Sequence, residues 1–265
     1  MGFASLGSGS KGNGTVVALA GVADHPDSVF LVDCGFNVRQ TEKRMRAIGL
    51  SPGDLDGIFV SHEHADHKAG VAALAHRYSV PVYASYGTAQ KLDCQCQRFD
   101  GDVPFEVNGV TVNPVRVPHD AREPTQFTFT NGTETIGVLS DLGRVTQHVL
   151  TQFMPCTHLL MEANHDLQML KRGSYPPSLK RRVAADYGHL SNDQAYALLD
   201  KIAHPELEVL VGHVSEQNNC MQLLQQMFTP LGDRVRSLRF ATQAEGAAWA
   251  GYQPISRQAS FSDVV

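Results

Sequence analysis

Short runs of alternating or β-branched hydrophobic residues recur along the first half of the chain, and they predict β-strands. The runs cover residues 15–19, 29–33, 58–61, 104–107, 111–115, 126–130 and 135–140. Two pairs of these predicted strands flank Asn-Gly dipeptides, Asn108-Gly109 and Asn131-Gly132. Because Asn-Gly tolerates positive φ angles, each dipeptide predicts a two-residue hairpin. We therefore expect abundant antiparallel β-structure in the first half.

Apolar residues at three- and four-residue spacing predict helices between and after these strands. The helical patterns cover residues 41–48, 70–77, 145–151, 192–202 and 220–228. Strands mixed with single helices favour an α/β fold in which helices cover the outer faces of sheets. The stretch 253–265 is rich in serine and weakly patterned. We expect one compact domain over residues 1–252, followed by a flexible C-terminal tail.

Composition and charge mainly exclude other classes of protein. The 265 residues carry a net charge of −5 with a pI near 6.2, which argues against a protein that coats nucleic acid indiscriminately, although a local basic patch could still bind it. No apolar run approaches the roughly 18–20 residues of a membrane helix, and the N-terminus lacks the pattern of a signal peptide. We therefore expect a cytoplasmic protein without a membrane partner.

The five cysteines are scattered along the chain, which fits reduced thiols better than a disulfide framework. Cys94 and Cys96 form a C-x-C pair. This pair is typical either of ordinary thiols or, if further ligands lie nearby, of a site for a soft metal ion.

The stretch 61–70, SHEHADHKAG, concentrates potential metal ligands between a predicted strand and a predicted helix. In an extended segment residues i and i+2 face the same way, so His62 and His64 can bind one cation while Asp66 and His67 face a second. Imidazole and carboxylate ligands suit zinc, manganese or iron. A polar loop with capping histidines is the alternative, but packing hardly explains three histidines and an aspartate within six residues.

The order H-E-H-A-D-H, that is His-x-His-x-Asp-His, resembles the signature of the metallo-β-lactamase superfamily of metallohydrolases. Later positions of that signature match His119, Asp141 and His213, each at the end of an apolar strand. An earlier position matches Asp33, which would brace the loop 61–70, the ligand loop, by hydrogen bonds. The resemblance implies a four-layer αββα sandwich with two divalent metal ions at one edge, zinc or manganese, with iron as a third option. It also implies that Asp141 bridges both metals and that Asp66 orients a metal-bridging hydroxide as the nucleophile.

Motifs over nearly the whole chain resemble the YycJ/WalJ-like branch of this superfamily, whose members are linked to DNA exonuclease activity. The motifs are FASLGSGSKGNGT at 3–15, LVDCGF at 31–36, SHEHADHKAG at 61–70, EANHD at 162–166, GHLSN at 188–192 and GHVSEQNN at 212–219. The last motif departs from the branch in having valine rather than leucine after the histidine. The resemblance implies that residues 1–252 are a hydrolase domain that cleaves DNA from the 5′ to the 3′ end.

His189 precedes a predicted helix and is a candidate general acid. Ser191 and Gln194 have the spacing of a capping box, so Ser191 is the predicted N-cap, and His189 lies two residues ahead of a helix N-terminus that favours an anionic phosphate. An imidazole there can protonate the leaving oxygen of a phosphodiester. The alternative is a histidine that only packs at the entrance of the helix.

Two further stretches are candidates for binding substrate phosphates. The segment 171–182 holds five basic residues and no acid, and the loop 6–15 is rich in glycine and in hydrogen-bond donors. The alternatives are a solvated helix face for the first and a plain hairpin turn for the second. The candidate phosphate-binding residues are Ser8, Ser10, Lys11, Asn13, Lys180, Arg181 and Arg182.

The leading hypothesis is therefore a dinuclear metal-dependent phosphodiesterase that acts on DNA, with Asp66 and His189 as catalytic residues. Hydrolysis of a small ester, thioester, lactone or cyclic phosphodiester by the same metals is the second hypothesis, and it predicts full activity after the basic run is neutralised. A metal-stabilised scaffold that binds a partner without catalysis is the third.

Overall fold

The hydrophobic runs of the chain form two seven-stranded mixed sheets, whose strands are numbered in chain order. The structure is a computed structural model that describes residues 1–21, 27–254 and 256–257. The first sheet has the order β14 (Ala247–Gly251), β1 (Gly2–Gly7), β2 (Gly14–Leu19), β3 (Ser28–Val32), β4 (Gly57–Val60), β5 (Val82–Ser85), β6 (Gln97–Phe99). The second has the order β13 (Ser237–Phe240), β12 (Glu208–Gly212), β11 (His158–Glu162), β10 (Thr135–Leu139), β9 (Thr125–Thr130), β8 (Val110–Arg116), β7 (Phe105–Val107).

Each sheet is antiparallel in one part and parallel in the other. Strands β14, β1, β2 and β3 pair antiparallel, whereas β3 to β6 run parallel. In the second sheet β7 to β10 pair antiparallel, whereas β10 to β13 run parallel. The carboxyl ends of parallel strands meet at one edge of a sheet, which is where ligand-binding loops gather in α/β proteins.

Aromatic rings fill the space between the two sheets. Phe59 on β4 is fully buried at their centre. Its ring centroid lies 5.3 Å from that of Phe30, 4.7 Å from Tyr83, 5.6 Å from Phe127 and 5.2 Å from Phe129. Since Phe30 and Tyr83 belong to the first sheet and the other two rings to the second, this cluster joins the sheets by apolar burial and edge-to-face contacts.

Helices cover both outer faces of the pair of sheets. The helices of the described chain are α1 (Val38–Ala47), α2 (Ala65–Lys68), α3 (Val71–Tyr78), α4 (Tyr86–Ala89), α5 (Gln147–Phe153), α6 (Leu167–Arg172), α7 (Pro177–Val183), α8 (Asn192–Ile202) and α9 (Met221–Gly232). Met45 of α1 and Leu74 of α3 pack on the first sheet, whereas Phe153, Leu199 and Phe228 from α5, α8 and α9 pack on the second. The predicted four-layer αββα sandwich is therefore confirmed.

The predicted elements correspond closely to the observed ones. The seven predicted strands are β2, β3, β4, β7, β8, β9 and β10, and the five predicted helices are α1, α3, α5, α8 and α9. The Asn108-Gly109 hairpin is confirmed, because Val107 pairs with Val110 and the two turn residues have φ angles of 51° and 75°. Local patterns thus predicted these elements well.

The second predicted two-residue hairpin, at Asn131-Gly132, is wrong. Thr130 pairs with Thr135, so four residues form the connection. The Asn131 side chain accepts hydrogen bonds from the backbone N–H groups of Thr133 and Glu134, both at 3.1 Å. The asparagine therefore stabilises the loop through its side chain, as in an Asx turn, rather than through a positive φ.

Most of the predicted tail, namely residue 255 and residues 258–265, lies outside the described residues. Of the described remainder, Ser256 bonds to Asp54 at 2.8 Å, and Arg257 pairs with Asp56 at 2.9 Å.

Within the described part of the chain, none of the helices combines the length and hydrophobicity needed to cross a membrane.

We expect Phe59→Ala to lower the free energy of unfolding by about 3–5 kcal/mol, because it removes a fully buried ring and leaves a cavity between the sheets. Urea denaturation followed by tryptophan fluorescence measures the loss. Tyr86→Ala is the control, since that ring is 55% exposed and its loss should change stability by less than about 0.5 kcal/mol. Equal stabilities for the two variants would contradict the central role of the aromatic cluster.

Candidate metal centre

Strand ends from both sheets bring polar side chains to one edge of the sandwich. Asp33 follows β3, Asp141 lies two residues after β10, and His213 follows β12. All three residues have left-handed backbone conformations, with φ angles of 61°, 49° and 51°. Residues other than glycine rarely adopt this conformation, and it persists where the surrounding structure enforces it, typically at functional sites.

Three histidines form one cluster of potential ligands. His64 Nδ1 lies 3.0 Å from His62 Nε2 and 3.3 Å from His119 Nε2. Burial, together with the charge of the neighbouring His67, holds the pKa of His62 well below its usual value. Burial also lowers the pKa of His119. For His62 and His119 both shifts favour the neutral imidazole, the form in which histidine binds a metal ion.

A second cluster joins Asp66, His67 and His213. The Asp66 Oδ2 atom lies 3.5 Å from His67 Nε2 and 3.9 Å from His213 Nε2. Asp141 lies between the two clusters: it contacts His67 Nε2, approaches His213 Nδ1 to 2.8 Å, and lies 3.7 Å from His62 Nε2. All seven side chains predicted as metal ligands thus meet at this edge.

The arrangement of donor atoms fits divalent cations. In each of the groups His62–His64–His119, His62–His67–Asp141 and Asp66–His67–His213, one ligand atom per residue lies within 4.8 Å of the others. Imidazole nitrogens that face one another can share at most one proton per pair, whereas a cation satisfies all their lone pairs. The buried His213 Nε2 atom also has no hydrogen-bond partner within the described ranges of the chain. The residues present therefore fit metal ions.

Asp33 lies behind the ligand loop and holds it. Its carboxylate accepts hydrogen bonds from the backbone N–H and the hydroxyl of Ser61, both at 2.8 Å. The same carboxylate lies 2.8 Å from His67 Nδ1, and Ser61 Oγ lies 2.9 Å from His62 Nδ1. Partners of this kind fix the orientation of ligating histidines and raise their basicity.

The N-terminal loop lies against the candidate metal ligands. The Ser8 hydroxyl accepts the His213 backbone N–H at 2.7 Å. The Asn13 amide nitrogen lies 3.2 Å from Asp66 Oδ2 and 3.0 Å from His67 Nε2. Both side chains are buried. Their contacts therefore hold ligands in position, while phosphate binding by them stays a prediction.

The other predicted phosphate-binding residues are more exposed. Ser10 lines the cavity beside the ligands, and Lys11 forms an ion pair with Glu216 at 2.6 Å.

On α7, Lys180 donates a hydrogen bond to the Lys171 carbonyl at 2.9 Å, and Arg182 is paired with Asp120 at the cavity. Arg181 is exposed on the same helix. Only Ser10 and Arg182 among the seven predicted phosphate-binding residues thus line the cavity.

His189 lies beside the second cluster and is held by two carboxylates. Its Nδ1 atom lies 3.1 Å from Glu162 Oε2 and 3.2 Å from Asp141 Oδ1. Burial disfavours the imidazolium, but the Glu162 charge and the hydrogen bonds to both carboxylates outweigh burial and raise the pKa of His189 to about 9. The predicted capping box is confirmed, because the side chains of Ser191 and Gln194 bond each other's backbone N–H.

Glu162, the last residue of β11, was not predicted as a site residue. It is fully buried, and its Oε1 atom accepts the backbone N–H groups of Leu142 at 2.8 Å and Leu190 at 3.1 Å. Its other oxygen faces His189 and lies 3.3 Å from His213 Nδ1. The only signal in the sequence was its place in the EANHD motif.

Buried asparagines join the loops that carry these residues. The amides of Asn192 and Asn219 bond each other reciprocally at 3.0 and 2.8 Å. Asn219 also donates to the Ala163 carbonyl at 3.0 Å, and Asn164 donates to the His213 carbonyl at 3.0 Å. This network explains Asn164, Asn192 and Asn219 in the EANHD, GHLSN and GHVSEQNN motifs.

The C-x-C pair lies elsewhere. Cys94 and Cys96 line a separate groove together with His76 and Asp93. Burial raises the pKa of the Cys96 thiol to about 12, which disfavours the thiolate that binds metals. Among the described residues, neither cysteine belongs to a cluster of potential metal ligands.

We expect Asp33→Asn to weaken zinc binding by about 10–100-fold, since the amide cannot hold His67 and Ser61 as a carboxylate does. Asparagine tolerates the left-handed backbone as aspartate does, so the change tests charge rather than strain. Competition with a chromophoric chelator measures the affinity. Asp54→Asn is the control: this buried carboxylate caps a distant turn, so its loss should leave affinity unchanged. Wild-type affinity in Asp33→Asn would refute the role of this brace.

Comparisons with known proteins identify the family of this chain. The family model of the β-lactamase superfamily domain matches residues 29–213. The chain is 32% identical over 230 residues to exodeoxyribonuclease YycJ of Bacillus anthracis, which covers 83% of this chain and 85% of the relative. It is 30% identical over 232 residues to exodeoxyribonuclease WalJ of Streptococcus pneumoniae, which covers 83% and 84%.

Among solved structures, Zn²⁺-bound PqqB from Methylobacterium extorquens superposes with a TM-score of 0.68, at 14% identity over 95% of this chain and 100% of that one. This likeness shows a shared fold, and the predicted metallo-β-lactamase sandwich is thereby confirmed. The chain is thus a metal-dependent hydrolase, and it belongs to the β-lactamase superfamily, in the branch of the YycJ and WalJ proteins.

Proposed function

We propose that this hydrolase is a two-metal phosphodiesterase that removes nucleotides from the 5′ end of DNA. One observation carries the proposal: a histidine held by a buried carboxylate, His189 with Glu162, lies directly beside two clusters of metal ligands. The alcohol oxygen that leaves when a phosphodiester is cleaved needs a proton. An easily expelled leaving group, such as that of an activated ester, needs none. This pairing therefore favours phosphodiester chemistry over hydrolysis of an activated ester.

Each cluster would hold one divalent cation, with Asp141 shared between them. When bound, two such cations lower the pKa of a water molecule toward 7 and neutralise charge that develops on the phosphate oxygens. The first cation would be held by His62, His64 and His119, and the second by Asp66, His67 and His213. Zinc and manganese both suit these ligands, with iron as a third option.

His189 would act as the general acid. Since its Nδ1 atom faces Glu162 and Asp141, its Nε2 atom is the one that can donate a proton to the leaving oxygen. Glu162 keeps the ring protonated and fixes its orientation. Asp66, which touches the second cluster, would orient the attacking water.

DNA as the substrate is supported by the relatives and by charge. Both YycJ and WalJ are named exodeoxyribonucleases. In this chain Arg182 lines the cavity, and Lys180 and Arg181 extend the cationic surface along α7. Basic side chains beside a hydrolytic centre position a phosphate backbone without reading its sequence.

A small ester or cyclic phosphodiester is the second candidate substrate. The cavity beside the ligands measures about 350 Å³, near the lower end of the range for small-molecule pockets. This candidate predicts that neutralising Lys180, Arg181 and Arg182 leaves activity unchanged, whereas the DNA proposal predicts weaker substrate binding and a shallower salt dependence.

The direct test is digestion of duplex DNA labelled at the 5′ end, with manganese- or zinc-loaded protein and products resolved over time. We expect wild type to release labelled mononucleotides or short oligonucleotides and to hold about two metal ions per chain. His64→Ala should lose both activity and metal. DNA that stays intact under both metals, while a small phosphodiester or ester is cleaved, would refute DNA as the substrate.

We expect His189→Gln to lower kcat on DNA by about 10²–10⁴-fold, because a positioned general acid contributes that much. The imidazolium is present below the pKa of His189 and is lost as pH rises through it. The pKa of about 9 is that of His189 in the protein without metal ions, and bound cations would lower this pKa by electrostatic repulsion. In the pH profile, wild-type kcat should therefore decrease on the alkaline side, with a midpoint at or below about pH 9.

The pH profile of kcat for both proteins, on DNA and on bis(p-nitrophenyl) phosphate, provides the measurement. The glutamine variant should lack the alkaline limb, and it should lose much less activity on the nitrophenyl ester, whose leaving group needs no proton. The same limb in both proteins would show that another group is the acid.

A further inference from the structure

The cavity beside the metal ligands has two chemically different parts. The candidate ligands His64, Asp66, Asp141 and His213, together with His189, line one part. Another part is lined by α7 and the loop before it.

In that second part the lining side chains are mostly apolar, with Tyr175 as the aromatic one. They are Tyr175, Leu179 and Val183. A ligand suited to both parts carries an anionic group at one end and a flat apolar group at the other. A nucleotide has this character, and aromatic side chains accept any base by stacking.

The size of the cavity limits what can enter. Its volume of about 350 Å³ is near the lower end of the range for pockets that hold one small molecule. A base pair contains two nucleotides, so a single unpaired nucleotide suits the cavity better than a base pair does. The cavity therefore favours a terminal base that has left its partner.

Arg182 stands at the cavity and is suited to a second phosphate. Its side chain is 57% exposed and paired with Asp120. Asp120 also lies 3.5 Å from His119 Nε2 and 3.9 Å from His64 Nε2, so its charge is shared with the metal ligands. A guanidinium has five N–H donors in a fork, and those not used by Asp120 can bind phosphate oxygens.

We propose that this cavity binds one unpaired nucleotide at the end of a DNA strand, with the base against Tyr175 and the next phosphate at Arg182. The substrate is then a frayed or single-stranded end. This inference rests on the proposed function, since it assumes that DNA is the substrate.

The test compares two duplexes that share the cleaved strand: one ends in paired G·C, the other in two mismatched terminal pairs. We expect wild type to cleave the mismatched end with a kcat/KM about tenfold higher. Tyr175→Ala should raise KM for the mismatched end about tenfold, with a smaller change in kcat. Tyr175→Phe should behave like wild type, because it keeps the ring.

Tyr86→Ala is the matched control, since this exposed tyrosine lies outside the cavity lining. A second measurement is independent of catalysis: fluorescence anisotropy of a labelled single-stranded oligonucleotide with metal-free protein in chelator. There Tyr175→Ala should weaken binding about tenfold, and Tyr86→Ala should not. Equal effects of the two substitutions would overturn the proposal.

Failure of this inference can be told from failure of the proposed function. If wild type cleaves both duplex ends at equal rates, the unpaired-nucleotide site is wrong and the DNA phosphodiesterase stands. If wild type cleaves bis(p-nitrophenyl) phosphate but neither duplex, or cleaves none of the three, the proposed function fails and the inference fails with it.

Discussion

The whole edge of the sandwich depends on one buried carboxylate, Asp141. Burial by itself would raise its pKa, yet the surrounding histidines, His213 and His67 foremost, hold the pKa well below its usual value, a role that bound cations would take over when these rings act as neutral ligands. A buried charge is tolerated only when it is paired, and removing a partner leaves an uncompensated charge in the interior. Because His67 follows a strand of the first sheet and His213 a strand of the second, this pairing requires both sheets to be docked.

The neighbouring loops are held by bonds that involve backbone groups more than by packing of loop side chains. Glu162 accepts two backbone N–H groups from different loops, and Asn219 donates to the carbonyl of Ala163. Such fully satisfied polar networks specify a single arrangement, because each lost bond leaves a buried polar group without a partner. The chemistry thus rests on rigid strand ends, although most of its residues lie in loops.

The strands, the helices and the ligands at 62–67 were largely predictable, because they leave local signals: alternating residues marked strands, and clustered histidines marked the site. The four-layer arrangement and the ligands His119, Asp141 and His213 were predicted only through the family resemblance. Glu162 was missed since it ends a wholly buried run, HLLME, that has no alternation and so resembles ordinary core. The positions of Ser8 and Asn13 against His213 and Asp66 could not be predicted either, because contacts between residues so distant in sequence follow from topology alone.

Helix α7 lines the cavity beside the candidate metal ligands, yet none of its residues, 177–183, is buried. The segment after α7 packs closely against the main chain of the helix: a Cβ atom at Gly188 would lie 2.2 Å from the Val183 carbonyl oxygen. Substitutions on this helix therefore cost the core little, whereas the backbone that supports it and the metal ligands tolerates almost none. Substrate preference and hydrolytic chemistry can consequently diverge at different rates, so that homologues with the same ligands are free to evolve toward different molecules.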